Sequence, residues 1–510
     1  HRTTQGLVFD CSLGVNEAQF QNAEATWLGE GLSGGLRISG RYDFESGEMK
    51  STARSSFEKG EALLDRFYFN LGETPLEFSA EGGWDRGRQS LELLELEGAL
   101  RDIVRIHGAG TIEPRQGGPG FDVSLNLSPT PVEPIFQHFF RDPFKAEKPL
   151  LNTVEIAGNV AFGLKITGGA DYQTARGRIE WKNGSIASSK IGIAARGLEL
   201  RLPVWYESAG GEAQDPTARG ALSVEELSLP FLPPQALDVS LLAGPNRLVV
   251  PGPLSIQIPG GEARLGSVTA SNLFDPERTV RTDLSLDPVD LSPFLSEIFP
   301  KSAGGTVSGT LNPIVFEKGR IQGRKGEIRV EIFGGEVVLE GLEMDNLFSG
   351  IPKLKLDARW SHLDMSQVTS ETDFGEIQGI FRGYAESLTI ASGQPQKFDM
   401  LIESIPTAET PQRISIKAVE NIARLGGGGS PFAGLAGAFA SLFKTFPYEK
   451  IGIRAVLQND VFRINGLVEE DGVEYLVKRG GIHGVNVVNQ NPDNRIRFKD
   501  MIKRVNRGFT

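Results

Sequence analysis

Cysteine is all but missing: Cys11 stands alone in 510 residues. No intrachain disulfide can form, and a large extracellular domain stapled by bridges is excluded. Long apolar runs are missing too. Nowhere do about 18 apolar residues follow one another, and no charged leader with an apolar stretch opens the chain. The sequence reads as lying on the soluble side of any membrane. It begins at His1 rather than Met, so a signal or anchor removed from this end is compatible with it. Positive charge is short, with a formal net charge of -12. Nucleic acid is therefore a poor partner, since its binding rests on neutralising phosphates. An anionic membrane surface is likewise no purely electrostatic target.

The residues of metal and nucleophile chemistry are sparse. His1, His107, His138, His362 and His483 lack any metal-ligand spacing and read as surface or loop histidines. No G-x-S-x-G elbow and no phosphate loop stands out. Gly426–Gly429 is a glycine run, but it reads as a link ahead of a helix. Carboxylates abound, yet Glu469, Glu470 and Asp471 sit at an expected hairpin tip with Gly472, where acidic residues are ordinary turn chemistry. Asp357 and Asp399 fall on polar strand faces. The chain is expected not to be an enzyme and to need no cofactor or metal.

What the chain does have is glycine and proline, 62 and 29 of them, spread evenly between runs of period-two alternation. Leu36, Ile38, Gly40, Tyr42 and Phe44 form one run; Val123, Leu125 and Leu127 another; Leu354, Leu356, Ala358 and Trp360 a third. Alternate residues of a strand point to opposite faces, so each run has one apolar and one polar face. Glycine turns such as Ser46-Gly47-Glu48 separate them, as in an antiparallel meander. Helical signals are short: Pro134–Phe140, Ser292–Phe299, Lys417–Leu425 and Ser430–Lys444. The last has Ser430 as N-cap and Pro431 at the first helical position. No βαβ alternation occurs.

A weak repeat is present. LNLSPTPVEPIFQHFF from Leu125 and LSLDPVDLSPFLSEIF from Leu284 align without gaps at Leu125/Leu284, Leu127/Leu286, Pro129/Pro288, Pro134/Pro293 and Phe140/Phe299. Each is a strand, a proline-marked exit and a short helix. Gly305-Thr-Val-Ser-Gly309 and Gly375-Glu-Ile-Gln-Gly379 then both open a strand after such an excursion. Recurring units of this kind suggest an elongated array; chance matching of common Leu and Pro is the alternative. The apolar faces have two readings, packing on a second sheet as in a sandwich or lining an open trough.

From about Leu354 the order of segments becomes specific: DARWSHLDMSQVTS, FGEIQGIFRGYAESLTIASGQPQKFDMLIES, QRISIKAVENIARLGGGG, a short apolar helix, then FPYEKIGIRAVLQNDVFRINGLVEEDGVEYLVKRGGIHGVNVVNQ. This resembles the C-terminal region of the AsmA-like bridge family of lipid-transfer proteins, in its YdbH branch. Earlier residues match only the general style of glycine-punctuated amphipathic strands. The resemblance implies a mainly β fold: an elongated, curled antiparallel sheet, a taco-like repeating β-groove, with a few short helices. Residues 1–415 would form the groove and 416–510 a C-terminal segment with short helices and closing strands.

By this resemblance the groove floor would hold acyl chains on Leu36, Ile38, Phe67, Phe69, Phe78, Leu125, Leu127, Phe162, Leu164, Ile166, Leu198, Leu200, Ile328, Val330, Ile332, Leu354, Leu356, Trp360, Phe398, Met400, Ile402, Ile451 and Ile453. The stripe Phe432, Leu435, Phe439, Leu442 and Phe443 would cap the trough or touch lipid. The implied role is passive phospholipid conduction between inner and outer membranes, in the periplasm of a diderm bacterium, with an inner-membrane anchor N-terminal to this chain. The implied partners are phospholipid, the membranes at both ends, and a small outer-membrane lipoprotein adding to the C-terminal edge near Val473–Val477 and Gly484–Val488. The tail Arg495–Arg507 is the competing cover for that edge. A structural or adhesive β-sandwich array and a β-solenoid carbohydrate enzyme are the other readings. The first needs Pro-rich linkers and the second clustered carboxylates, and neither is evident.

Overall fold

The structure, a computed structural model, describes residues 5–115, 118–170, 172–208, 216–230, 232–295, 304–346, 351–429, 431–432, 444–490 and 496–498. It is mainly β, curled antiparallel sheet with a few short helices, as the alternating runs predict. Two compact units divide the chain: His1–Pro251 with Thr269–Phe274, and Gly252–Val268 with Asp275–Thr510. The boundary expected at residue 415 falls inside the second unit, because the helix that begins there packs on strands from both sides of it.

The first unit runs through β1 (Gly6–Gln21), β2 (Trp27–Asp43), β3 (Glu48–Leu64), β4 (Phe67–Asn70), β5 (Leu76–Asp85), β6 (Ser90–Leu100), β7 (Val104–Arg115), β8 (Gly118–Pro131), β9 (Val154–Gly168), β10 (Gln173–Ser188), β11 (Ile193–Glu207), β12 (Ala218–Ser228), β13 (Gln235–Gly244) and β14 (Arg247–Val250). Each pairs antiparallel with the next, except that β3 takes both β4 and β5. Side-chain turns fix several hairpins. Asp43 Oδ1 accepts from the Glu45 and Ser46 N–H groups, and Asp85 Oδ1 does the same for Gly87 and Arg88, the local bonding that makes Asp a turn residue. Register shifts interrupt the ladders, for instance between Val15 and Ala18, Leu93 and Leu96, and Trp181 and Gly184. Such bulges bend a strand and increase its twist. Between β8 and β9 the chain leaves the sheet through α1 (Val132–Phe136), a π turn at Gln137–Arg141, α2 (Asp142–Phe144) and a 3-10 turn at Pro149–Thr153.

The second unit contains β15 (Leu254–Ile258), β16 (Gly261–Leu265), β17 (Val268–Ser271, most of which belongs to the first unit), β18 (Thr279–Asp290), α3 (Ser292–Leu295), β19 (Gly305–Glu317), β20 (Arg320–Gly323), β21 (Gly326–Ile332), β22 (Gly335–Asp345), β23 (Lys353–Asp364), α4 (Met365–Ser370), β24 (Ile377–Gln378), β25 (Ile380–Ala391), β26 (Gln394–Ile405), β27 (Arg413–Ser415), α5 (Ile416–Leu425), β28 (Thr445–Gln458), β29 (Val461–Gly466), β30 (Val468–Glu470), β31 (Val473–Arg479), β32 (Val487–Val488) and β33 (Ile496–Arg497). Of the helix expected at Ser292–Phe299, α3 is the described part. The helix expected at Ser430–Lys444 lies outside the described residues, with its stripe Leu435, Phe439, Leu442 and Phe443.

The sequence repeat has a structural counterpart. β8 and β18 both exit into a helical excursion, and each slips register at the same place, between Leu127 and Thr130 and between Leu286 and Val289. The returning chain then carries a glycine in the left-handed region: Gly158, Gly309 and, after α4, Gly379, at φ of 107, 144 and 138°. A Cβ on Gly309 would sit 2.3 Å from the Glu327 carbonyl oxygen, so both the backbone conformation and the space require glycine there.

α5 is a well-signalled helix. Ser415 Oγ accepts from the Ala418 N–H at its start. At its end Gly428 N–H donates to Ala423 O and Gly427 N–H to Arg424 O, with Gly427 at φ 77°. These two bonds form a Schellman cap, so the glycine run read as a link is the helix stop. Ala418, Val419, Ile422 and Ala423 form its buried face.

Candidate functional site: an apolar sheet face

Directly opposed residues of a ladder share a face, and in the first unit they compose unbroken rows. One runs Leu13, Leu36, Ser55, Phe78, Gly98, Ile106, Leu127, Phe162, Ile179 and Leu202. The next runs Cys11, Ile38, Ala53, Ala80, Leu96, Gly108, Leu125, Leu164, Gly177 and Val204. Ile166, opposed to Val123 and Ala175, lies on the same face, and Leu198 and Leu200 face Val224 and Leu222. Phe67 and Phe69 extend it on β4, where they meet Phe139 and His138 of the excursion at ring distances of 6.3 and 5.1 Å. Most of these side chains are half-buried and Phe78 is exposed; Leu127 and Leu198 are buried by their neighbours. Among the described residues of this unit, the one defined core cluster is small, centred on Ala195, Leu198 and Val224. A sheet packed on a second sheet would seal such a face into one contiguous core.

Rows of the same kind cross the second unit. Leu286, Gly309, Ile328, Leu339, Ala358, Ala385, Met400, Ala455 and Ile464 form one; Val289, Val307, Val330, Val337, Trp360, Gly383, Ile402 and Ile453 form another. Leu354, Leu356 and Trp360 thus share a face with Phe398, Met400 and Ile402, and Ile332 continues that face opposite Gly305 and Gly335. Ile328 and Leu356 are buried. Ile451 is a correction to the expected open floor. It is 2 % exposed, inside a closed core with Ile414, Val419, Ile422, Leu476 and Val487. Phe398, Met400, Ile402 and Ile453 are half-buried and pack against that same core, as does Phe432, so this end of the face is covered by α5 and its neighbours.

The opposite face is charged and internally paired. Arg37 forks onto Asp10 with bonds of 3.1 and 2.7 Å, which holds the Asp10 carboxyl below its usual range. Lys355 Nζ lies 2.7 Å from both Glu343 and Asp345 and lowers both carboxyls. Asp399 takes a two-pronged contact from Arg454 at 3.0 and 2.6 Å, and Asp357 accepts from the Ser387 N–H. Both strand carboxylates are thereby engaged in holding strands together. Asp471 and Gly472, at φ of 53 and 75°, form the expected two-residue hairpin turn. Ligand atoms of Glu95, Glu97 and His107 lie within 4.8 Å of one another. The Arg105 guanidinium already bonds Glu97, however, and the group reads as a surface ion-pair cluster.

Two further features were not read from the sequence. A cavity of about 330 Å³ opens on the apolar face between β4 to β8 and the excursion, lined by Phe69, Phe78, Leu96, Ile106, Leu125 and Phe139. The C-terminal edge also differs from expectation. β31 is flanked by β28, β30 and β32, so Val473–Val477 is interior, not a free edge. β33 pairs with β29, which puts part of the tail on the sheet. Within 484–488, Val487–Val488 pairs with β31 alone among the described strands. Neither arrangement has a local signature, since pairing partners distant in sequence decide both. No helix among the described residues is long and apolar enough to cross a membrane.

The class defined by this geometry is a mainly β protein whose two units each carry apolar cross-strand rows on one sheet face, largely uncovered in the first unit and partly sealed in the second, with a self-paired charged reverse. Comparison with protein-family models, curated proteins and solved structures finds no match.

Proposed function

We propose that the protein takes up acyl chains of glycerophospholipid on this face and conducts phospholipid between the inner and outer membranes of a diderm envelope, without catalysis. The observation that carries the reading is the set of cross-strand apolar rows, mostly half-exposed through β1 to β10 and, through β18 to β23, half-exposed around the buried Val289, Ile328, Leu356 and Ala358. Burying acyl surface gains about 0.8 kcal/mol per methylene, and a track of uniform apolar character offers similar energy at each step, so movement along it needs no chemistry. The charged reverse face stays in water. The periplasmic setting, an anchor beyond this chain's N-terminal end and a small lipoprotein partner at the C-terminal end belong to the same proposal and rest on the resemblance. For the partner, Val487–Val488 is the strand segment that remains to be extended.

Mass spectrometry of lipid copurifying with the chain tests the reading, together with photo-crosslinking from both units. Glycerophospholipid bound in the native chain, with crosslinks reduced beyond an Ile166→Asp block, is the expected result. Lipid-free protein that also fails to take up lipid from vesicles would refute it. Ile166 suits this test better than Met400 or Ile453, because those two pack on the closed core, where a charge would cost stability as well.

A further inference from the structure

The excursion between β8 and β9 is built as more than a connection. Its π turn, Gln137–Arg141, is a helix irregularity of a kind frequent at functional sites. His138 Nε2 and Arg141 Nε, three residues apart on that turn, are shut away from solvent and have no hydrogen-bond partner among the described residues. Buried polar atoms are rarely left so. Burial also holds the His138 imidazole below its usual range, toward the neutral form. The wall beside these atoms is the apolar cavity: Phe139 and Phe69 line it, and the His138 ring meets Phe139 edge-on at 4.9 Å and Phe69 at a tilt at 5.1 Å. At about 330 Å³ the cavity falls at the lower end of ligand pockets, which run from roughly 300 to 1,000 Å³. That size suits one chain rather than a whole two-chain lipid.

The excursion's charges complete the picture. Arg66 is paired with Asp65 and Glu147, and Lys145 with Asp142. Among the described residues Arg141 and Lys148 have no carboxylate partner: Arg141 donates through Nη2 to the Val154 carbonyl and lies over the Phe136 ring at 5.4 Å, and Lys148 lies over the Phe144 ring at 5.4 Å. Two cations are thus left over on the excursion whose Phe139 lines the apolar cavity.

We propose that this cavity is a dedicated seat for one acyl chain of an anionic phospholipid, its phosphate held by Arg141 and Lys148 and its oxygens meeting the unbonded nitrogens of His138 and Arg141. This rests on the reading that the apolar face takes up acyl chains, and it makes one stretch of that face a selective station rather than uniform track. Phe139 is the side chain that must turn to admit the ligand.

The test uses the purified chain and two probes, phosphatidylglycerol and phosphatidylcholine, each with a diazirine on one acyl chain and each delivered in vesicles. Labelled peptides are mapped by mass spectrometry. Phosphatidylglycerol should label the Phe69–Phe78 and Phe139 peptides several-fold more than other peptides of the face, and more than phosphatidylcholine does. Phe139→Trp, which fills the cavity, should remove that excess and leave labelling around Val337 and Leu339 unchanged. Ile106→Phe serves the same end should Phe139→Trp disturb the β signal in circular dichroism. Arg141→Gln should bring the two probes level. Even labelling along the face, or an excess that survives both cavity-filling variants, overturns the seat and leaves acyl uptake standing. Equal labelling by both probes in the native chain, or a preference unchanged in Arg141→Gln, overturns the head-group assignment. Absence of label anywhere in the chain overturns the broader reading and the seat with it.

Discussion

Two regions use the same strand grammar and finish it differently. Around α5 the apolar face is sealed: Ile414, Val419, Leu476 and Val477 are entirely inaccessible, and Tyr448, itself 3 % exposed, donates its hydroxyl to the Gln378 carbonyl. Across β1 to β11 the equivalent face is left half-open. The strands do not decide between these outcomes, since both regions alternate in the same way. The difference comes from short pieces laid across the sheet of the second unit, namely β24, β27 and α5, the last held by its own caps. A closed core is thus an addition to the sheet, and the open face is what remains without it.

The sharpest way to break the comparison is a large-to-small change at the same kind of side chain in each region. Ile422→Ala in the closed core should cost about 2–5 kcal/mol in urea unfolding, the range for buried aliphatics that leave a cavity. A loss no greater than that of a surface change would mean that the core is not closed. Ser404→Ala comes next. Ser404 Oγ is buried and accepts from the Ile451 N–H at 2.9 Å, and an orphaned buried donor costs about 1–3 kcal/mol.

Tyr448→Phe should cost about 1 kcal/mol at neutral pH through its lost hydrogen bond, and it also changes the alkaline limb. Burial pushes the Tyr448 phenol well above its usual range. The unfolded chain therefore gives up this proton first, near pH 10, while the folded chain keeps it. The associated stability is full below that pH and declines as pH rises through it. In Tyr448→Phe this part of the alkaline decline should vanish, as denaturation midpoints at pH 8 and pH 11 would report; an unchanged slope would contradict it.

On the open face Phe78→Asp should lower stability by no more than about 1 kcal/mol, because surface changes away from special features cost little. Uptake of an apolar dye at the cavity should nevertheless fall. Unfolding by this variant would show that the face is covered after all. The smallest effect belongs to the charged reverse: Asp10→Asn should leave the melting midpoint where it was, at low salt and at high, since exposed ion pairs contribute little.

The strands were legible because alternation is local. Leu125, Leu127, Phe162 and Leu164 announce both a strand and its apolar side, and α5 is announced over Lys417–Leu425, whereas its Ser415 cap and glycine stop are evident only from the bonds they make. Bulge positions were not legible, since a register slip depends on the partner strand. Ile451 shows the limit most plainly. Its alternation with Ile453 matches that of Leu125 with Leu127, and only the arrival of α5 and β31 makes it core. Pro134–Phe140 carries a helical signal, but the π turn there, whose rings meet Phe67 and Phe69 of β4, has no local signature.

The glycines at 158, 309 and 379 have a further consequence. The facing of a strand is a matter of odd and even, so any change in the length of what precedes it can turn the strand inside out. A residue able to adopt either hand of backbone lets the count be reset as the chain re-enters the sheet. The excursions within 132–153 and 365–376 can thus differ in length, as they do, while the strands that follow keep their facing.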